Sequence, residues 1–156
     1  MVRKQDWSPR QPAWIREQDE NERAYHEWMS RHGITMTSER ADSNPNLFDP
    51  ESDWANHASH WKVVFRRGRK TFTLHYSMGS AHTGSPAAPS VLDSVRSDTG
   101  SFEEGGTFED WARNFGFDAD SRRAEAAWRH VKDEVARLKR FLGDGPFSEF
   151  MNLPGL

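Results

Sequence analysis

Two histidines in the stretch "NHASHW", His57 and His60, stand at the H-x-x-H spacing with which two imidazoles can meet one cation. Zinc or another divalent ion would need further ligands, and His75 or His82 from across a sheet could supply one. The chain has no cysteine, so thiolate ligation, a cysteine nucleophile and a disulfide framework are excluded together. Because the pair lies among Ser, Asn and Asp with no third ligand at diagnostic spacing, the plainer reading is that His60 joins Trp61 in opening a strand.

A second group lies in "SMGSAHTGSP", where a strand runs into a glycine-bearing loop and then a helix start. Such a junction can hold an anion on its backbone N–H groups. A phosphate loop of the P-loop type, however, ends in Gly-Lys-Ser/Thr. Here Gly84 is followed by Ser85 and Pro86, the lysine is missing, and Pro86 and Pro89 withdraw N–H donors. Ser80, His82 and Asp93 or Asp98 are the residue types of a nucleophile, a base and an orienting acid, but Ser80 and His82 are too close in sequence for the usual strained turn. The segment reads as a connector in which Gly79 and Gly84 supply unusual backbone angles. No catalytic residue, metal site or cofactor is assigned from it.

Charge is the third kind of chemistry. The net charge is only −3, yet residues 61–80 carry +5 with no acidic side chain, and residues 81–121 carry −6. "RRGRK" sets Arg66, Arg67, Arg69 and Lys70 around Gly68 on one turn, four cations able to grip phosphates or carboxylates. No RNA-reading aromatic motif or helix-turn-helix accompanies them. Downstream, "DTGSFEEGGTFEDWARNFGFDAD" mixes seven carboxylates with aromatics. Asp118 and Asp120 look like a metal clamp, but the Ser, Arg, Arg that follow do not continue a calcium loop; capping a helix suits them better. Glu103, Glu104, Glu109 and Asp110 are left as an acidic surface for a basic partner.

The elements that must position these groups follow from periodicity. At 156 residues, with seven Trp and ten Phe, the chain is long enough for one core, in polar surroundings given its mean hydropathy of −0.93. Residues 1–12, with Pro9 and Pro12, read as a flexible arm. Residues 13–32 predict a helix with Trp14, Asn21, Tyr25 and Trp28 near one face and Gly33 as its stop. Residues 33–156 then form a single domain. "ITMTSER" alternates as a short strand, and "ADSNPNLFDPESDWANHASH" is turn chemistry, expected to be an irregular loop pinned by Leu47, Phe48 and Trp54. In "WKVVFRRGRKTFTLHYSM", Trp61, Val63 and Phe65 share one face with Phe72, Leu74, Tyr76 and Met78, and the glycine between marks a hairpin.

A helix over "PSVLDSVRSD" is expected next, capped by Ser85 or Ala88. Thr107 should cap another, with Asp110 in the N3 position and Phe108, Trp111, Ala112 and Phe115 as its buried stripe. The strongest helix starts at Asp120 or Ser121 and stops at Gly143, with Glu125–Arg129 and Asp133–Arg137 as i, i+4 pairs. "PFSEFMNL" could add one more turn. The fold class expected is α+β: a small antiparallel sheet of about three strands with helices packed on one face, plus the N-terminal helix. No apolar run is long enough to span a membrane and no signal-peptide pattern opens the chain; with no cysteine, the expectation is a cytoplasmic protein.

Residues 33–143 resemble a group of small proteins encoded by bacterial phages and prophages. The likeness rests on "DSNPN", on "HWKVVFRRGRKTFTLHYSMGSAH" with "GSPAAPSVLDSVRSD", and on "FEDWARNFGFDADSRRAEAAW" through to "RLKRFLGD". The group's Phe-Ser-Met-Gly element reads Tyr-Ser-Met-Gly here, while Asp-x-Asp-Ser-Arg and Arg-Phe-Leu-Gly stand unchanged. The resemblance implies no enzyme activity and carries over no catalytic residue. It implies a phage accessory protein of the kind that serves counter-defence or host takeover, of which anti-CRISPR inhibitors are the best-known examples. Residues 1–32 lie outside it.

Taken together, these readings favour a non-catalytic protein that binds and inhibits a host or defence-system protein, such as a CRISPR effector or a nuclease complex, inside the host cell. Arg66, Arg67, Arg69 and Lys70 form one contact surface and Glu103, Glu104, Glu109 and Asp110 the second. The first alternative is a nucleic-acid-binding regulator using the basic turn. The second is a metal-dependent or Ser/His hydrolase built on Ser80, His82, His57 and His60.

Overall fold

The computed structural model describes residues 12–47, 51–79, 84–116, 118 and 121–156. Residues 1–11 of the expected arm, Phe48, Asp120, and Ser80 with His82 lie outside the described residues, while Pro12, the arm's last residue, is the N-cap of α1. The described chain is α+β. Helix α1 (Ala13–Arg31) leads into strand β1 (Ile34–Ala41), and a short helix α2 (Asp53–His57) precedes the hairpin of β2 (Ser59–Arg67) and β3 (Lys70–Met78). Four helices follow: α3 (Ala88–Gly105), α4 (Phe108–Asn114), α5 (Arg122–Leu142) and α6 (Asp144–Met151).

The sheet is antiparallel in the order β1-β2-β3, with Met36 opposite Phe65 and Phe65 opposite Phe72. Alternation puts Ile34, Trp61, Val63, Phe65, Phe72 and Leu74 on the inner face, all buried. Arg67 pairs with Lys70, so the loop is the two residues Gly68 and Arg69. Gly68 has φ 60° and no described non-glycine residue has a positive φ, the pattern of a type II′ turn with glycine at its first central position.

The helices close over the inner face. Tyr25, Trp28 and Met29 of α1, Val91, Leu92 and Val95 of α3, Leu138, Phe141 and Leu142 of α5 and Phe150 of α6 join the sheet residues in one core. The polar middle of α1 is carried by this stripe, as an amphipathic helix requires. Trp14, on the same face in the sequence reading, lies a turn beyond the core and is 64% exposed. A second aromatic cluster, Phe102, Phe108, Trp111 and Trp128, joins α3, α4 and α5, with ring centroids 4.9 to 6.4 Å apart.

Several local expectations change. Helix α3 begins at Ala88 with Ala87 as its N-cap, so neither Ser85 nor Ala88 supplies the cap. It also runs on past Asp98 to Gly105. There Thr99 is buried, its Oγ1 bonding the Val95 carbonyl at 2.7 Å, so tertiary burial carries the helix through residues of weak intrinsic propensity. Gly79 and Gly84 do not have left-handed angles; those fall at Gly33, Gly68, Gly106, Gly116 and Gly143. The irregular loop contains α2, capped by Ser52, whose Oγ accepts from Ala55 N at 3.1 Å. Thr107 and Ser121 cap α4 and α5 by accepting from Asp110 N and Ala124 N.

Candidate functional site

The basic turn is tied down at its base. Arg67 Nη1 donates to the Leu142 carbonyl at 2.6 Å and Lys70 Nζ to the Arg140 carbonyl at 3.3 Å. Both acceptors belong to the last turn of α5, whose carbonyls have no partner within the helix and carry its negative dipole end. Two of the four cations are therefore helix caps. Arg66 lies on the outer face, bonded to Thr37 Oγ1 at 2.6 Å, and Arg69 is exposed at the tip. The same bonds bring exposed Arg140 of α5 beside Lys70, so cations distant in sequence share this end of the molecule.

The acidic residues gather where α3 meets α4, Glu103 and Glu104 on the last turn of one and Glu109 and Asp110 on the first turn of the other. All four are exposed. Glu103 pairs with Lys139, which also lies 5.3 Å from the Phe147 ring centroid. The Glu103–Lys139 pair therefore ties the acidic junction to the C-terminal half of α5, the helix that also anchors the basic turn. Asp110 is within 3.8 Å of Arg113, while Glu104 and Glu109 project from the junction.

His57 is exposed, whereas His60 is buried. The Ala55 carbonyl can only accept, so His60 Nε2 donates to it at 3.0 Å. Nδ1 lies 2.8 Å from Ser77 Oγ, which in turn accepts from Asn44 Nδ2 at 2.9 Å. With both ring nitrogens engaged, His60 fastens α2 and, through Ser77, Asn44 to the outer sheet face and has no lone pair left for a metal. Among the described residues no group of three or more His, Asp or Glu is arranged to hold a metal ion.

A cavity that the sequence reading did not single out opens along β3. Its volume is about 280 Å³. Four consecutive strand residues, Leu74 to Ser77, line it. Consecutive strand side chains point to opposite faces, so the cavity straddles the sheet edge. One carbonyl of that edge, Thr73, accepts from Arg137 Nη1 at 2.8 Å. The remaining walls come from α3, α4 with Phe115 at its end, α5, Trp54 of α2, and Asn44, Asn46 and Leu47 of the segment after β1.

Its titratable groups are unusual. Asp98 is exposed at its outer side, where an open depression adjoins the cavity, while its carboxyl stands among packed groups of α3 and α5. That loss of hydration, with Glu134 nearby and partly offset by His130, pushes its carboxyl from 3.8 to about 6. His130 Nε2 and a Glu134 carboxylate oxygen are 3.1 Å apart, one helical turn apart on α5. His75 is held below its ordinary value by burial first, then by Lys62 and His130. Its Nδ1 is buried with no hydrogen-bond partner among the described residues. Trp54 and Phe115, expected to be buried, are 51% and 38% exposed and flank the cavity. The scattered positions 54, 75, 98, 115, 130 and 134 explain why no spacing announced the site.

Compared with family models, with curated proteins and with solved structures, the chain matches none. No helix among the described residues is long and apolar enough to cross a membrane.

Proposed function

We propose that the chain is a non-catalytic binding protein that docks onto a partner protein through the two charged surfaces held on α5. The observation that carries this reading is the pair of bonds from Arg67 and Lys70 to α5. They fix a projecting turn rigidly while leaving Arg66, Arg69 and Arg140 accessible, and a rigid surface loses less entropy on binding. The Glu103–Lys139 pair holds the acidic junction of Glu104 and Glu109 against the same helix. A surface with both signs in fixed register suits a protein with complementary patches. Bare nucleic acid would meet the basic end but be repelled by the acidic junction, in a chain of net charge −3.

The resemblance to phage-encoded proteins supplies the biological reading: the partner is a host protein, such as a nuclease complex or a CRISPR effector, and the chain blocks it sterically. The test is a tagged pull-down from a lysate with active defence systems, with and without nuclease, using wild type and an Arg66→Ala/Arg69→Ala variant. These positions are chosen because Arg67 and Lys70 also hold α5. A stoichiometric protein that survives nuclease and is lost by the variant is the expected outcome. Equal retention by the variant, or a partner released by nuclease, overturns the reading.

A further inference from the structure

The cavity along β3 is independent of the charged surfaces and has its own chemistry. A void left by imperfect packing is ordinarily apolar and small. This one places the Asp98 and Glu134 carboxylates near each other, leaves the His75 Nδ1 without a partner, and has Trp54, Trp111 and Phe115 among its walls. No Lys or Arg lines it, and the imidazole of His130 already faces Glu134. An anion would meet only carboxylates. A neutral ligand would strip water from Asp98 and Glu134 and return no charge. A bare metal ion lacks a set of three ligands among the described residues. A cation with an apolar body satisfies both halves of the site: its charge relieves the repulsion between the carboxylates, and its stem or ring covers the aromatic walls.

We propose that this cavity binds a small organic cation, an amine or a guanidine, with its charged group against Asp98 and Glu134 and its body against Trp54, Trp111 and Phe115. His75 Nδ1, held neutral beside the same space, can accept a hydrogen bond from the ligand's N–H. The volume admits a molecule of one ring and a short stem.

The test is calorimetric titration of the full chain at neutral pH with benzylamine and phenylguanidine, against benzyl alcohol and benzoate of nearly the same shape. The expected result is saturable binding of the two cations, about tenfold or more tighter than benzyl alcohol, with benzoate weakest. Asp98→Asn should erase most of that preference. It exchanges the carboxylate for an amide of the same shape at a solvent-exposed side chain, so its denaturation midpoint should be no lower than that of wild type. Retained stability with lost cation binding is a combination that a purely structural residue does not give. Trp54→Ala, at an exposed position, should weaken benzylamine without altering the circular dichroism. Equal binding of benzylamine and benzyl alcohol, unchanged cation affinity in Asp98→Asn, or no binding of either cation at millimolar concentration overturns the proposal. Tighter binding of a capped lysine or arginine amide than of the free amines would overturn the small-molecule occupant in favour of a partner's side chain.

Discussion

Arg67 and Leu142 are joined by a 2.6 Å hydrogen bond from guanidinium to backbone carbonyl across 75 residues of sequence. The bond closes the α5 C-terminus with the base of the β2–β3 turn, and Gly143, at φ 75°, then lets the chain reverse into α6. A turn that looked like free charge is thus half structural, and the division can be measured.

Arg67→Ala removes a charge-assisted bond to a helix terminus and should destabilise the fold by about 1–2 kcal/mol. Arg69→Ala, at the exposed tip, should stay within about 0.5 kcal/mol of wild type. Urea midpoints for the two variants give the comparison. Equal losses would mean that the Arg67 bond contributes nothing beyond loss of an exposed arginine.

Tyr25 fastens the C-terminal residues. Its side chain is fully buried, its hydroxyl donates to the Pro154 carbonyl at 2.7 Å and accepts from Arg96 Nε at 3.0 Å, and Asp93 Oδ1 receives Arg96 Nη2 at 3.0 Å. Tyr25→Phe should cost about 1–3 kcal/mol, because the Pro154 carbonyl and the guanidinium lose a partner they cannot easily replace. The same variant should lose hydrogen-exchange protection around residues 152–156 ahead of the core. Protection unchanged there would show that the tail is held by other contacts.

Period-two and period-3.6 patterns made the sheet and α5 legible, because alternation and a long apolar stripe report one buried face directly. The caps at Thr107 and Ser121 were readable for the same local reason. The extension of α3 through Thr99 and Gly100 was not, since it depends on the tertiary burial of Thr99, which no local pattern records. The charged turn was visible as composition, but its bonds to Arg140 and Leu142 depend on where α5 ends in space. The cavity was invisible: its titratable members are scattered over three elements, β3, α3 and α5, and no local pattern records that β3 keeps a free edge beside α3 and α5. Trp54 and Phe115 were assigned inward by residue type, and the fold leaves both at the cavity instead.

Phe150 tests how far α6 belongs to the core. It is fully buried, 5.0 Å from Trp28 between ring centroids, and Trp28 Nε1 bonds the Pro146 carbonyl of the same helix at 3.2 Å. Phe150→Ala should destabilise by about 3–5 kcal/mol, the range for an aromatic cavity in a close-packed interior. Phe150→Leu, which refills much of the volume, should recover part of that loss. A loss below about 1 kcal/mol for the alanine variant would place α6 outside the cooperative unit.

The pH dependence of stability should carry two opposed contributions. Asp98 has a folded pKa of about 6, above its ordinary 3.8, and is faced by Glu134 and His130 of α5, by His75 of β3 and by Asp93 on its own helix. The folded state therefore holds the proton more tightly than the unfolded chain. The stability this group contributes is present in acid and is lost as pH rises through about 6, and because the side chain is exposed, solvent screening keeps it small. Glu149 behaves oppositely. Hydrogen bonding to His32 and then the charges of Arg31 and His32 lower its pKa, so its contribution is present above the unfolded carboxylate range and fades as pH falls through the folded value. The group is well exposed, which makes this second contribution small. Denaturation midpoints of wild type and Asp98→Asn should draw apart as pH rises from the ordinary carboxylate value toward about 6 and then run parallel, with the variant the more stable. Glu149→Gln should differ from wild type in the reverse sense, losing stability at neutral pH and matching it in acid. If Asp98→Asn and wild type keep a constant separation across that range, Asp98 is not held in the protonation balance that its position between α3 and α5 requires.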